Sequence, residues 1–455
     1  MSPRQAEAYR LLEMGDKNGV LELLPRDELL EDIRRNRRFA KNATAPIETN
    51  IEEIATRIAA LKMGELNGDT VAEIMMFYKE IYDICDTRNV GWSKLYDYAL
   101  FLHDLRCYAK AIEVAEKLNW YYSAPGRKVD EYDLGSLYNL LGILYKAQNQ
   151  RDKAEKYLLA AIDIYERLVK KNAEAYESSL AMSCYNAGNF YSAQGQSDKA
   201  EKYSLAAIEI YERLVKRNPE AYEPYLAMSC YNTGLFYHKH GQSEKAEKYY
   251  LAAIEIRKRL VEKNAEAYEP DLAGSYNNAG ALYHKQNQPE KAEKYYLAAI
   301  EIKERLAKKN ADAYEQDLAG SYYNVGIFYS DHGQPEKAEK YYLAAIEIRE
   351  RLAKKNADAY EPDLAKSYNN AGNFYKKQGQ PEKAEKYYLA AIEIRERLVK
   401  ENAAAYEPAL ATLYYNYYLL KKDKTYLDKA YEIAKRRQDN PRCGKLVKDI
   451  ESMLK

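Results

Sequence analysis

The stretch "GQPEKAEKYYLAAIEIRERLAKKNADAYEPDLA", residues 333–365, is written again almost unchanged from Gly379 and more loosely from Gly195, Gly241 and Asn287. Its marker alanine, in Lys-Ala followed by Glu-Lys, falls at 154, 200, 246, 292, 338 and 384, a constant step of 46 residues. The next step lands on Ala430 in a decayed copy, and a fainter copy upstream places Ala111. A fixed period of this length dictates an elongated array in place of the two to four ordinary domains that 455 residues would otherwise suggest. Residues 135–437 read as seven units, the last degenerate, and 91–134 as a divergent unit with a connector. Residues 1–90 read as an N-terminal region of degenerate helix pairs capping the array, and 438–455 as a C-terminal capping helix.

Each unit reads as two helices. In the fourth, Asp271–Gln286 carries Leu272, Tyr276, Ala279, Leu282 and Tyr283 at helical spacing. "NQ" breaks it, and Pro289 opens a second helix to about Lys309, with Ser243 of the third unit the better cap at that place. Ala292, Tyr296, Ala299, Ile300, Ile302 and Leu306 make the second helix's buried stripe. Glu290 with Lys294, and Glu301 with Arg305, are spaced as i,i+4 pairs on its wet face, and Asn310 closes the unit. The array carries no strand signal, so the fold class is all-α. No pair of helices can bury both its faces, and stacking supplies each pair with its neighbours' apolar stripes.

A period of 46 residues also suits HEAT or armadillo units, so the motif must decide. With Gly280 at the eighth place, Tyr276, Ala279 with Gly280, Tyr283, Ala292, Tyr296 and Ala299 fill the signature positions of the tetratricopeptide repeat; Gly188, Gly234, Gly326 and Gly372 frame the other units alike. Over about two-thirds of its length the chain resembles that family, in the long form found in kinesin light chains and many bacterial proteins. The resemblance implies a right-handed superhelix, a solenoid of antiparallel helix pairs. Two departures are the extra length, which falls between one second helix and the next first helix, and the missing proline after the second helix.

The resemblance also implies a concave wall built from first-helix positions two, five, nine, twelve and thirteen. Position five reads Asn139, Tyr185, Tyr231, Asn277, Tyr323 and Asn369; position nine reads Ile143, Asn189, Leu235, Ala281, Ile327 and Asn373; position twelve reads Lys146, Ser192, His238, His284, Ser330 and Lys376. These vary, whereas second-helix surface positions Glu201, Glu247, Glu293 and Glu339 do not, the pattern of a uniform scaffold with a varied recognition groove. Position six is the exception, holding Asn186, Asn232, Asn278, Asn324 and Asn370. An amide there either hydrogen-bonds an extended peptide or tethers neighbouring helices. The two-carboxylate clamp of chaperone-tail binders is broken: Asn189 and Asn232 fit, but Tyr185, Gly274 and Asn278 replace its basic residues. The groove is aromatic, amide-rich and mildly basic through Lys239, Lys285 and Lys377, which suits a peptide with apolar anchors and some acids.

Other chemistry is thin. The balance of 70 Lys+Arg against 70 Asp+Glu gives no footprint for nucleic acid or an anionic membrane. No apolar run approaches the roughly 20 residues of a membrane helix. "MSPRQAEAYRLLEMGD" is not a signal peptide. Cys85, Cys107, Cys184, Cys230 and Cys443 form an odd set without CxxC spacing, which points to reduced thiols and a cytoplasmic setting. His238, His240 and His284 lack convergent metal partners, and no phosphate loop or catalytic motif is present. The expectation is a non-enzymatic interaction scaffold with no cofactor. An alternative comes from a looser, whole-chain resemblance to the C-terminal half of bacterial TIR–tetratricopeptide proteins. It implies the sensor or regulatory half of a multidomain effector, and the opening of the chain inside a helix fits that reading. The catalytic domain would then be absent here, fused upstream or encoded separately.

Overall fold

The computed structural model describes residues 3–39, 45–64, 66–88 and 91–454, and these form helices joined by short turns with no strand. The boundary drawn at residue 90 lies outside the described residues. The chain divides into two compact units, Met1–Pro219 and Glu220–Lys455.

The first unit holds α1 (Pro3–Glu13), α2 (Lys17–Leu23), α3 (Arg26–Phe39), α4 (Ala45–Lys62), α5 (Gly68–Arg88), α6 (Lys94–Asp104), α7 (Tyr108–Tyr122), α8 (Glu131–Ala147), α9 (Arg151–Lys171), α10 (Ala173–Ala193) and α11 (Ser197–Arg217). Pro25 stands between α2 and α3 and separates them. Between α5 and α7, Trp92 is buried and its ring stacks on Tyr121 at 4.0 Å.

The second unit holds α12 (Pro219–Lys239), α13 (Ser243–Lys263), α14 (Ala265–Lys285), α15 (Pro289–Lys309), α16 (Ala311–Asp331), α17 (Pro335–Lys355), α18 (Ala357–Lys377), α19 (Pro381–Glu401), α20 (Ala403–Lys421), α21 (Lys424–Arg436) and α22 (Pro441–Leu454). Even-numbered helices from α12 to α20 are the first helices of their repeats, and the odd-numbered ones are the second. Their buried side chains form one continuous core from Ile254 to Ile450.

The extra length of each repeat is helix, not linker. First helices begin one and a half turns earlier than expected: α14 starts at Ala265, not Asp271, and carries Pro270 within it. Near a helix start a proline forfeits one backbone bond and is tolerated. A single asparagine joins each second helix to the next first helix. The Asn310 backbone N–H donates to the Leu306 carbonyl, ending α15, while its Oδ1 accepts from the Ala313 N–H at 3.1 Å, starting α16. Asn264, Asn356 and Asn402 do the same. The intra-repeat turn takes three residues with a left-handed one in the middle, Gly241, Asn287, Gly333 or Gly379. Gln242, not Ser243, occupies the cap position of α13, and its side chain makes no cap bond.

Within a repeat the helices touch where the glycine stands. A Cβ on Gly280 would meet Tyr296 Cδ1 at 2.8 Å, and one on Gly372 would meet Tyr388 Cδ1 at 2.7 Å. At Asn440 the side chain accepts from the Arg442 N–H at 3.0 Å, capping α22, whose Cys443, Leu446, Val447 and Ile450 close the core.

Candidate functional site

The polar side chains of the second helices are spent on holding the array together. Glu247 of α13 accepts from the hydroxyl of Tyr283 in α14 at 2.7 Å. Glu293 does so from Tyr329 and Glu339 from Tyr375, each at 2.7 Å, and each also pairs with a lysine of the next second helix, Lys337 or Lys383, at 3.2 Å. In the first unit Glu155 takes Tyr191 at 2.8 Å and Lys199 at 2.9 Å. These bonds hold the carboxyls of Glu293 and Glu339 below the ordinary carboxylate range, the tyrosine hydroxyl contributing most. The uniformity of these glutamates is therefore structural. They are not a drifting surface, and the contrast drawn above with the varied groove loses its control.

A second fastener ties the two helices of one repeat. Glu223 is buried and pairs with Arg259 at 2.7 Å; Glu269 pairs with Arg305 at 2.6 Å and Glu315 with Arg351 at 2.7 Å. Arg305, expected to pair along its own helix with Glu301, reaches across to Glu269.

The recurrent asparagine joins successive first helices. Its amide nitrogen donates to the position-five side chain one repeat earlier: Asn186 to Asn139 Oδ1 at 3.1 Å, Asn278 to the Tyr231 hydroxyl, Asn324 to Asn277 Oδ1 at 3.3 Å, and Asn370 to the Tyr323 hydroxyl. The donor is committed to the fold. Among the described residues the Oδ1 atoms of Asn278 and Asn324 meet no protein donor and stay available.

The other candidates divide. Tyr323 is 6% exposed, with Arg349 over its face at 5.2 Å and its hydroxyl taken by Asn370, and it lines the cavity described below. Asn373 is exposed, and its Oδ1 accepts from Tyr388 at 2.7 Å. Tyr185, Asn189, Tyr231, Asn232, Asn277 and Asn369 are half-buried. His238 lies 3.4 Å from the Tyr250 hydroxyl, and His284 Nε2 lies 3.4 Å from Asp331. Burial lowers the pKa of both rings and of Lys376. Among the described residues no three His, Cys, Asp or Glu side chains converge as metal ligands. Burial pushes the Cys184 thiol up to about 12, so it stays protonated at neutral pH.

Sequence reasoning missed a column of buried and half-buried cations in the second helices. Arg257 donates to the Asp271 carbonyl at 2.9 Å and to Ser275; Lys303 donates to the Asp317 carbonyl at 3.1 Å and to Ser321 at 2.9 Å; Arg349 donates to the Asp363 carbonyl at 3.4 Å and to Ser367. Next in the column is Arg395, which lines a cavity of about 380 Å³ between α18 and α20, beside the start of α22. Lys366, Asn369, Asn370, Thr412 and Arg442 line it too. The signal was there in the cations every 46 residues at 257, 303, 349 and 395, hidden because they alternate with acids in a helix that reads as uniformly wet.

Tetratricopeptide repeat profiles match residues 134–172, 180–220, 226–305, 318–356 and 364–402, together more than half of the chain. The chain belongs to the tetratricopeptide repeat family. Within it, the long-repeat form found by spacing matches helices of 21 residues. No curated protein matches the chain. Among solved structures it is similar to the apo form of RapI, with 18% identity, a TM-score of 0.48, and coverage of 68% of this chain and 100% of that one. It is also similar to aspartyl phosphate phosphatase F from Bacillus subtilis, with 15% identity, a TM-score of 0.48, and coverage of 87% and 95%. A putative kinesin light chain from Podospora anserina with nearly identical repeats aligns at 18% identity and a TM-score of 0.38, over 50% of this chain and 99% of that one. Among the described residues no helix is long and apolar enough to cross a membrane.

Proposed function

We propose that this tetratricopeptide-repeat protein is a non-catalytic interaction scaffold that takes a peptide or protein segment along the face of its first helices. Residues 135–437 would be the working array, with 1–90 and 438–455 as its ends. One observation carries the reading: the cavity beside α18 and α20 is lined by Lys366, Asn369 and Thr412, the position-two and position-five residues that the repeat pattern assigns to its concave wall. Leu235 at position nine, 37% exposed, and the Oδ1 atoms of Asn278 and Asn324 give the same face an apolar anchor and side-chain acceptors for a peptide's backbone N–H groups. A ligand with apolar anchors and some acids fits that lining. Five free cysteines, Cys107 exposed among them, favour a reducing compartment such as the cytoplasm.

Photo-crosslinking separates this face from the other. A benzophenone amino acid is placed at Leu235 or Asn373 on first helices, and at Leu297 or Leu343, exposed on second helices. In lysate of the source organism, one discrete crosslinked partner from the first-helix sites and none from the second-helix sites is the expected result. Crosslinks confined to Leu297 and Leu343 would move the binding face to the second helices and refute the reading.

A further inference from the structure

Arg395 stands in a column whose other members share one set of partners. Arg257, Lys303 and Arg349 each face an acidic residue's carbonyl and a serine hydroxyl on the following first helix. Arg257 and Arg349 also lie over a position-five tyrosine, Tyr231 at 4.6 Å and Tyr323 at 5.2 Å. In the copy that serves Arg395 the serine is gone, the acidic residue is an alanine that keeps only its carbonyl, and the tyrosine is an asparagine, as it already is beside Lys303. Leu413 stands where Ser275, Ser321 and Ser367 stand, Ala409 where Asp271, Asp317 and Asp363 stand, and Asn369 where the tyrosine stands. Arg395 keeps a bond to the Pro362 carbonyl at 2.7 Å and the Tyr406 ring at 5.6 Å, and it lines the cavity together with Ala409, Leu413 and Asn369.

Two further cations line that cavity. Lys366 and Arg442 are exposed, and neither makes an ion pair among the described residues. Lys366 lies 5.1 Å over Tyr323, itself in the lining. The carboxylate that bears on Arg395 is that of Asp363, which accepts from Gln316 at 2.7 Å and is not in the lining. Burial disfavours the charge on Arg395, and the neighbouring Arg442 adds to that. Three cations, two amides and a threonine hydroxyl thus converge on a space with no acid in its wall. A guanidinium without its partner, in a half-buried site, is matched by a bidentate oxyanion.

We infer that the cavity beside Arg395 is a carboxylate subsite of the groove, filled by an Asp or Glu side chain or the C-terminal carboxylate of a bound peptide. The inference rests on the proposed scaffold function and adds to it a fixed end for the ligand. The cavity takes one acidic residue with its neighbours and is at the small end of the range of small-molecule pockets.

The test uses the full chain. Random dodecapeptides are selected on it by phage display, and the winners, fluorescein-labelled, are measured by anisotropy. The expected outcome is enrichment in Asp or Glu or a required free C-terminus. Arg442→Gln and Lys366→Gln should each then weaken binding about tenfold, ~1.4 kcal/mol, with unchanged thermal melting. Changing the peptide's acid to its amide should cost as much, and the combined change little more. Lys308→Gln, on an exposed second-helix end, should change nothing. Peptides that bind equally well to both variants would overturn the carboxylate subsite and leave the scaffold reading standing. Failure to select any peptide would count against both. Displacement of a winner by millimolar inorganic phosphate, with no effect of its acid-to-amide change, would assign the cavity to a phosphate ion and likewise overturn the proposal.

Discussion

Two glycines in the same kind of helix should respond in opposite ways to one methyl group. Gly320 of α16 has nothing within 4 Å of the place its Cβ would take, whereas that of Gly280 meets the Tyr296 ring at 2.8 Å. Gly320→Ala should therefore stabilise the protein by about 0.5–1 kcal/mol through helix propensity alone. Gly280→Ala gains the same propensity but must overpack the helix crossing, which costs about 1–3 kcal/mol, so a net loss of about 1 kcal/mol is expected. Urea denaturation of the two variants beside the parent checks both signs. Gly280 was legible in the sequence because the repeat spacing marks it. Tyr323 was not, because position five holds a wall residue or a core residue according to what stands behind it. The cations over its ring, Arg349 of α17 and Lys366 of α18, stand outside its own helix.

At the scale of the element, the single-asparagine joint is what makes each helix 21 residues long. Asn310→Ala leaves the backbone bond that ends α15 but removes the side-chain acceptor that starts α16. A loss of about 1 kcal/mol is expected, with Asn310→Asp retaining most of the stability. Thermal melting of the pair measures it; equal melting of both with the parent would show that the cap is dispensable. Second helices were legible to the residue, since proline and the Ala-Tyr-Ala stripe mark them at both levels. First helices were read six residues too short, because the apolar spacing begins at Leu272 while the cap, Asn264, lies before Pro270. The long-range fasteners were invisible for a related reason. Glu269 and Arg305 are 36 positions apart, and local spacing offered Arg305 a nearer partner in Glu301.

For the molecule as a whole, a helix–joint–helix–turn cycle of constant length means that register, not sequence, decides what can be cut out. Excising residues 289–334 joins Gln288 to Pro335, recreating the junction that already stands at Gln334–Pro335. The shortened chain should keep its helical circular dichroism per residue and melt cooperatively, whereas removing six residues more from the same place should unfold the neighbouring pairs. The fold class was open to reading because the period declares it. The cavity at Arg395 was not, because its wall draws on residues where one copy departs from the others, Ala409, Leu413 and Asn369, and on Arg442 beyond the array.

The stack of Trp92 on Tyr121 has an optical consequence. Both tryptophans of the chain, Trp92 and Trp120, lie in the first compact unit, while residues 220–455 carry tyrosine and no tryptophan. Excited at 295 nm, the unlabelled protein therefore emits only from the neighbourhood of α6 and α7. Near-ultraviolet absorbance is dominated by the 47 tyrosines, most of them in the repeats. Following both signals through one denaturant titration distinguishes loosening at the N-terminal side from loosening of the array, with no probe introduced.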